Sequence, residues 1–368
     1  MEFTGNRLEL LEMAKKAMKL ADDNSPVEML KGIYLESDED AGEVSMITAN
    51  SAAAIFMKEK ASVTSSGKIV INAKMLTGML SLLSDEKVKF SAEKHLVKIS
   101  SGNCVYSIVY LPGDHYPKPI MPFPDEAVKL SGICSIVKKT VFATAKDKNN
   151  PALQCVCLTV KKNSAYAAAC DKQRMILIKG KAESAGAKEF LLPAQPFQTL
   201  ASISTDEDVF EVGIVGNDAV FTKKNMLFSI KRITNSSFID TSLIVKSVVP
   251  KYTAIAKAVD VRMSLDLLSA GAVTEPVNIR FINDTIQLKR MGETSISQSE
   301  APAELTGEMP KQGFYYNLSY LLKLFQVLDG TVKFEIDEKG MMLVRSKNEV
   351  YFQLPTKPSR RKTEKRAA

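Results

Sequence analysis

Tryptophan is absent from this 368-residue chain, and aromatic side chains make up only 7% of it. Proteins that grip single strands of nucleic acid stack successive bases on aromatic side chains, so that mode of binding has little to work with here. Histidine is nearly absent too, with only His95 and His115. A Ser–His or Cys–His nucleophilic pair, or a zinc site, therefore has few candidate members. The five cysteines, Cys104, Cys134, Cys155, Cys157 and Cys170, are odd in number and form no CxxC pair. They are expected to be buried free thiols in a reducing compartment, with Cys155 and Cys157 on one face of a strand. Neither a GxGxxG nor a Walker A stretch offers a nucleotide cradle. No helix-turn-helix or zinc-finger pattern offers base reading. No apolar run reaches the length of a membrane span, and Met1–Leu11 lacks a signal pattern, so a cytoplasmic location is expected. Acidic residues cluster at Asp38, Glu39 and Asp40 and at Asp206, Glu207 and Asp208. Both clusters lie between apolar segments, where solvated turns are expected in place of a catalytic carboxylate pair. The expectation is a protein with no catalytic residues, no cofactor and no metal.

What is present is the composition of a folded protein: 45% hydrophobic and 25% charged residues, over a length that fits two or three domains. The net charge is +7, but the stretch from Lys357 to Ala368 alone holds six basic residues and one acid. The body is therefore almost balanced. Any attraction to nucleic acid must come from how its charge is arranged. The last ten residues, SRRKTEKRAA, are expected to be disordered.

One segment recurs three times: IVINAKMLTGMLSLL from Ile69, EFLLPAQPFQTLASI from Glu189 and GFYYNLSYLLKLFQV from Gly313. Each reads as a short apolar strand, then Asn72, Pro193 or Asn317 at the turn, then an apolar-periodic helix. A charged turn and a pair of alternating strands follow each copy. Tyr106, Phe228 and Tyr351 occupy matching places at spacings of 122 and 123 residues. That period divides the chain into thirds and is too long for the usual solenoids. The first half of each unit repeats more faintly. A helix is expected over Arg7–Ala21, Ser131–Ala145 and Ser264–Val273. Strand pairs follow around GIYLES and VSMITAN, VCLTV and AYAAACD, and VNIRF and TIQLKR. The fold class is α+β, with three similar domains, each a doubled helix-plus-strands motif. Their expected bounds are 1–124, 125–255 and 256–358, followed by the basic tail 359–368.

The first helix places Leu10, Ala14 and Ala17 on one face and Glu12, Lys15, Lys16 and Lys19 on the other. The second unit's helix offers Lys138, Lys139 and Lys146, with Lys148 just beyond; the third unit's helix carries little basic charge. If equivalent helices line one concave surface, these lysines form a positive wall. Such a wall touches phosphates and not base edges, which gives sequence-independent, salt-sensitive attraction to duplex DNA and allows sliding.

The order of these segments resembles the bacterial DNA polymerase III β sliding clamp family across the whole chain. FTGNRLELLEMAKKA resembles the family's opening strand and helix, and YSIVYLPGDHYPKPIMP its exit from the first domain. AAACDKQRMIL resembles the TDGHRL strand end, with Asp171 and Arg174 kept. GFYYNLSYLLKLFQVL resembles GFNxxYLLDxL, and VYFQLPTKP the MPMR-type ending. The resemblance implies the DNA clamp fold: a homodimeric ring of six similar domains, with helices lining the interior and antiparallel sheets outside. It implies no enzymatic activity of its own. Its implied role is to hold a replicative polymerase on double-stranded DNA by topology, so that a tethered polymerase rebinds instead of diffusing away. The implied partners are the polymerase catalytic subunit, a clamp loader and other proteins carrying a clamp-binding motif. The first domain of one chain would meet the third of its partner around Tyr106, Ala272 and Val273.

The resemblance also implies a peptide-binding pocket at Asn150, Leu153, Cys170, Lys172, Gln173, Arg174, Met175, Pro250, Phe352, Leu354, Pro355 and Thr356. Leu153, Met175, Phe352 and Leu354 would be the apolar floor for a partner's Leu or Phe. Taken singly, each of these is also what ordinary core packing would place. The chain departs from the family at Cys170, Lys172 and Gln173, where threonine, glycine and histidine are usual. It departs again at Asn150 and Asn24, where arginines occur, and in a longer stretch from Phe238 to Pro250. Two other readings remain at this level. One is a scaffold with the clamp fold that binds replication proteins without encircling DNA, which oligomeric state would separate. The other is an enzyme of unrecognised class, which metal dependence would expose.

Overall fold

The fold is that of a computed structural model, which describes residues 1–147, 149–180, 182–183, 187–270, 274–292 and 295–358. The tail, Lys148, Ala272 and Val273 lie outside the described residues. Seven α-helices form among the described residues: α1 (Arg7–Met18), α2 (Ala73–Leu82), α3 (Ile133–Thr140), α4 (Ala194–Ser202), α5 (Thr241–Ser247), α6 (Ala258–Leu268) and α7 (Leu318–Phe325). None is long and apolar enough to cross a membrane.

The recurrent segment folds as its residues require. Strands Gly67–Asn72, Lys188–Pro193 and Phe314–Asn317 run directly into α2, α4 and α7. Asn72 and Asn317 cap their helices by accepting the backbone N–H groups of Met75 at 3.1 Å and Tyr320 at 3.3 Å. Each cap satisfies a donor that the first helical turn leaves without a partner, worth about 1 kcal/mol. Asn6 caps α1 in the same way, accepting from Leu8 and Glu9. The first-half helices are shorter than their periodicity suggests. The α1 helix ends at Met18, and α3 stops at Thr140 before a 3₁₀ turn at Val141–Ala143. The third helix was expected over Ser264–Val273 and instead runs Ala258–Leu268. It starts where strand Tyr252–Lys257 ends, and its buried Ala258, Val261, Ser264, Leu265 and Leu268 give the helical spacing.

The residues fall into two compact units. The first takes in residues 1–134, 182–183 and 195–234 and holds a five-stranded and a ten-stranded antiparallel sheet. Its core includes α1 packed on α2, and Phe3 stacked on Phe90 at 4.6 Å. His115 ends a 3₁₀ turn, Gly113–His115, in a proline-rich stretch. Tyr116 is buried beside Tyr34, and its hydroxyl accepts the Ala49 N–H at 3.1 Å. The second unit takes in the described residues of 135–180, 187–194 and 235–358 and holds a twelve-stranded antiparallel sheet. There α6 packs on α7, and Phe325 stacks on Phe334 at 5.9 Å.

Each first-half strand pair gains a third strand that the repeat did not reveal: Ala53–Lys60, Arg174–Gly180 and Ile296–Thr306. These strands extend the sheets. In the first unit, Ala53–Lys60 pairs with Met226–Lys231, the strand that carries Phe228. In the second, Arg174–Gly180 pairs with Glu349–Gln353, the strand that carries Tyr351. Phe228 and Tyr351 are fully buried. Tyr106 lies on the corresponding strand, Cys104–Val109, which is the last strand of its sheet, and is only half-buried.

The acidic clusters lie at turns, with Asp38 the last residue of strand Gly32–Asp38, Glu39 and Asp40 in the turn that follows, all three exposed, and Asp208 paired to Lys223. The cysteines correct the expectation of five buried thiols. Cys155, Cys157 and Cys170 are buried, Cys134 is half-buried and Cys104 is exposed. Cys104 sits on the last strand of its sheet and is exposed among the described residues. Burial pushes the Cys155 and Cys157 thiols up to about 12 and raises that of Cys170. These three should resist a thiol reagent at pH 8 in the native protein and react once denaturant is added. Rapid native-state labelling of any of them, mapped by peptide mass, would contradict this burial.

Candidate functional site

The apolar floor is a single row of side chains across four neighbouring strands of the second unit. Cys170 pairs with Met175, Met175 with Phe352, and Phe352 with Leu343. Residues directly opposite each other in neighbouring strands project to the same face, so the four side chains form one continuous strip. Leu153, from the 3₁₀ turn Pro151–Gln154, and Val248 complete the buried cluster. Ala145, Phe238, Ile244, Val245, Met341, Val350 and Leu354 pack against it, partly buried.

Thus Leu153, Cys170, Met175, Phe352 and Leu354 are brought together from three distant stretches of chain. Sequence reasoning missed Leu343, Met341, Val248 and the contribution of Phe238, Ile244 and Val245. The apolar alternation of the last hairpin could have placed Leu343 opposite Phe352. Nothing local signals the others.

Around the floor, Asp171 organises the turn between two strands. Its carboxylate accepts the backbone N–H groups of Gln173 and Arg174, both at 3.1 Å. Lys172 takes φ of 76° in this turn. That left-handed conformation costs a side-chain-bearing residue about 1 kcal/mol or more and suits glycine, the residue usual there in the family it resembles. The Lys172 N–H meets Cys170 Sγ at 3.4 Å. The Leu354 N–H donates to the Gln173 carbonyl at 2.9 Å, tying the turn to the strand end. Lys172, Gln173 and Thr356 are exposed, and Asn150 and Pro355 half-buried, around the floor. Pro250 is exposed and stands outside the buried cluster.

Arg174 acts as a strut rather than as a surface contact. It is 4% exposed, and its Nε donates to Asp171 Oδ2 at 2.9 Å. Its Nη2 donates to the Phe142 carbonyl, and the guanidinium lies 3.8 Å from the centre of the Tyr320 ring. Its Nη1 has no hydrogen-bond partner among the described residues.

The lysines expected to face DNA divide into two kinds. Lys15 and Lys19 on and just beyond α1, Lys138 on α3, and Lys146 are exposed. Lys16 is paired with Glu12 at 2.6 Å, and Lys139 with the nearly buried Glu349 at 2.6 Å. Much of the charge of those two is answered within the protein. The α6 helix shows Val259, Met263 and Leu267 on its exposed face, so no lysine row continues there.

The comparisons with known proteins agree with this architecture. A family model described as the DNA polymerase III beta subunit, N-terminal domain, matches residues 1–121, and one for the central domain matches residues 127–240. The Beta sliding clamp of Halalkalibacterium halodurans is 21% identical over 306 residues, covering 78% of this chain and 79% of that one. The Beta sliding clamp of Mycoplasma capricolum is 30% identical over 172 residues, 45% of each chain. The crystal structure of the DNA polymerase sliding clamp from Bacillus subtilis matches with a TM-score of 0.88 at 20% identity, covering 98% of this chain and 100% of that one. With two consecutive domain models of one family covering most of residues 1–240, and the clamp fold shared along nearly the whole chain, the protein belongs to the DNA polymerase III beta subunit family.

Proposed function

We propose that the protein is a sliding clamp in which two copies close a ring around duplex DNA and tether a polymerase through the pocket floored by Cys170, Met175, Phe352 and Leu343. The observation that carries the ring is a pairing rule. The third strand of the first repeat pairs with the last strand of the second, and the third strand of the second pairs with the last strand of the third. Two strands in the same roles are left over. Cys104–Val109 is the end of its sheet, and Ile296–Thr306 has one open side along each half. A second copy supplies the missing partner to both, head to tail, and closes six domains. The domains divide at 1–124, 125–255 and 256–358. Tyr106 lies on one of the two edges; Ala272 and Val273, expected at the same contact, lie outside the described residues.

Unpaired strand edges are adhesive unless covered, and Val105, Val109 and Ile296 are exposed along these two. Lysines at Val105 and Val109 are expected to convert a dimer of twice the 40.4 kDa chain mass to a monomer, measured by light scattering on a sizing column. An unchanged dimer would rule out this edge as the contact.

Inside the ring, Lys15, Lys19, Lys138 and Lys146 face the phosphates. Topology holds the DNA, so weak contacts suffice, and their loss should lower retention without changing sequence preference. The clamp does no chemistry, works in the cytoplasm and receives the polymerase, the clamp loader and other motif-bearing partners one at a time. The deciding experiment loads the protein on nicked circular DNA and then linearises it. Retention before cutting and loss afterwards is the expected result; equal retention on both would leave a scaffold that does not encircle DNA.

A further inference from the structure

The connection from Phe238 to Pro250, already distinctive in sequence for its length, has an unusual place in the second unit. Its middle forms α5, capped by Asp240, whose Oδ1 accepts the Ser242 N–H at 2.9 Å. Phe238, Ile244 and Val245 lie half-buried against the floor cluster of Leu153, Cys170, Met175, Leu343 and Phe352. These are the side chains that a partner's apolar anchors would need to touch. From this overlap we propose that α5 is a lid: it occupies the apolar groove in the resting clamp and is displaced when a peptide binds. The proposal rests on the peptide-pocket reading above and adds a regulator to it.

The physical case is one of a weakly held element on a strong floor. The α5 helix has seven residues, none of them buried. A helix that short does not stand alone in water, so its contact with the floor is what keeps it folded. Leu243, on its outer side, is 63% exposed. Met175, Leu343 and Phe352 of the floor are strand residues paired in register on both sides, whereas among the described backbone bonds the connection is tied to the sheet at its far end, where Lys251 N–H donates to the Ile336 carbonyl at 2.9 Å. Elements with few buried apolar contacts open at low cost while their surroundings stay folded. A groove that is open for only a fraction of the time binds its ligand more weakly by that fraction, and a partner that brings larger anchors or a second contact overcomes the closed state.

The test is an anisotropy titration of a fluorescein-labelled ten-residue peptide ending in a Leu–Phe pair. The proteins are the full chain, a lid variant carrying Phe238→Ser, Ile244→Ser and Val245→Ser, and a rim variant carrying Leu354→Asp. The lid substitutions touch only half-exposed side chains and leave the floor intact. The lid variant should bind about tenfold more tightly, as expected if the groove is open about a tenth of the time. Amide exchange across 241–247 in the full chain should speed up when peptide is added. Equal affinities with unchanged exchange would overturn the lid and leave the pocket standing. Weaker binding by the lid variant would make α5 a wall of the site and overturn the proposal as well. No binding to any form, or binding indifferent to Leu354→Asp, would overturn the pocket reading and the lid with it.

Discussion

Replacing Arg174 with methionine is expected to destabilise the second unit by about 3 to 5 kcal/mol, the usual loss when one member of a buried ion pair is removed. The side chain is almost wholly buried, and it answers the Asp171 carboxylate, the Phe142 carbonyl and the Tyr320 ring at once. Methionine fills much of the volume but leaves Asp171 without its cation and the Phe142 carbonyl without this donor. The damage falls on the turn that sets Cys170 against Met175, so peptide binding should fall along with stability. Urea unfolding followed by circular dichroism measures the first, since the chain has no tryptophan to report it. Combining Arg174→Met with Asp171→Asn should recover part of the loss, because the carboxylate then no longer needs a counter-charge. A loss below about 1 kcal/mol would mean that the strut is dispensable.

The second large effect is on binding alone. Leu354→Asp should weaken a Leu–Phe peptide about a hundredfold, near 2.7 kcal/mol, which is the scale of an anchor contact at the centre of an interface. Leu354 is half-buried at the edge of the floor, and its structural hydrogen bond to the Gln173 carbonyl is made by its backbone N–H. A carboxylate there stays near water in the free protein but would be covered by the peptide, which is where the cost arises. The melting temperature should hardly move. An affinity change under threefold would place the peptide elsewhere.

Much of the fold was legible because its signals are local. The strand–Asn–helix segments ending at Asn72 and Asn317 carry their own caps and periodicity within about fifteen residues. With the middle copy, which has Pro193 at the turn, they recur at spacings of 121 and 124 residues, and this fixed the number of repeats. The third helix was displaced by six residues because Val259, Met263 and Leu267 blur the apolar face on which a periodicity reading depends. Of the third strands, Ile296–Thr306 was missed because that segment is polar, alternating and mostly solvent-facing. Lys139 looked like a free cation; its partner, Glu349, is 210 residues away.

The sequence by itself determined the local elements, their threefold recurrence and, through the match of whole segments, the family. It also marked Leu153, Met175, Phe352 and Leu354 as a set. Only the tertiary structure decided that Cys170, Met175, Phe352 and Leu343 form one row, because cross-strand register between segments more than 150 residues apart leaves no periodic trace. It alone decided that Arg174 is interior, that α6 carries no lysine and turns its Arg262 toward Asp329, and that Phe238, Ile244 and Val245 pack against the floor. Each of these depends on which distant side chain fills the space beside a residue, and no short window of sequence contains that information.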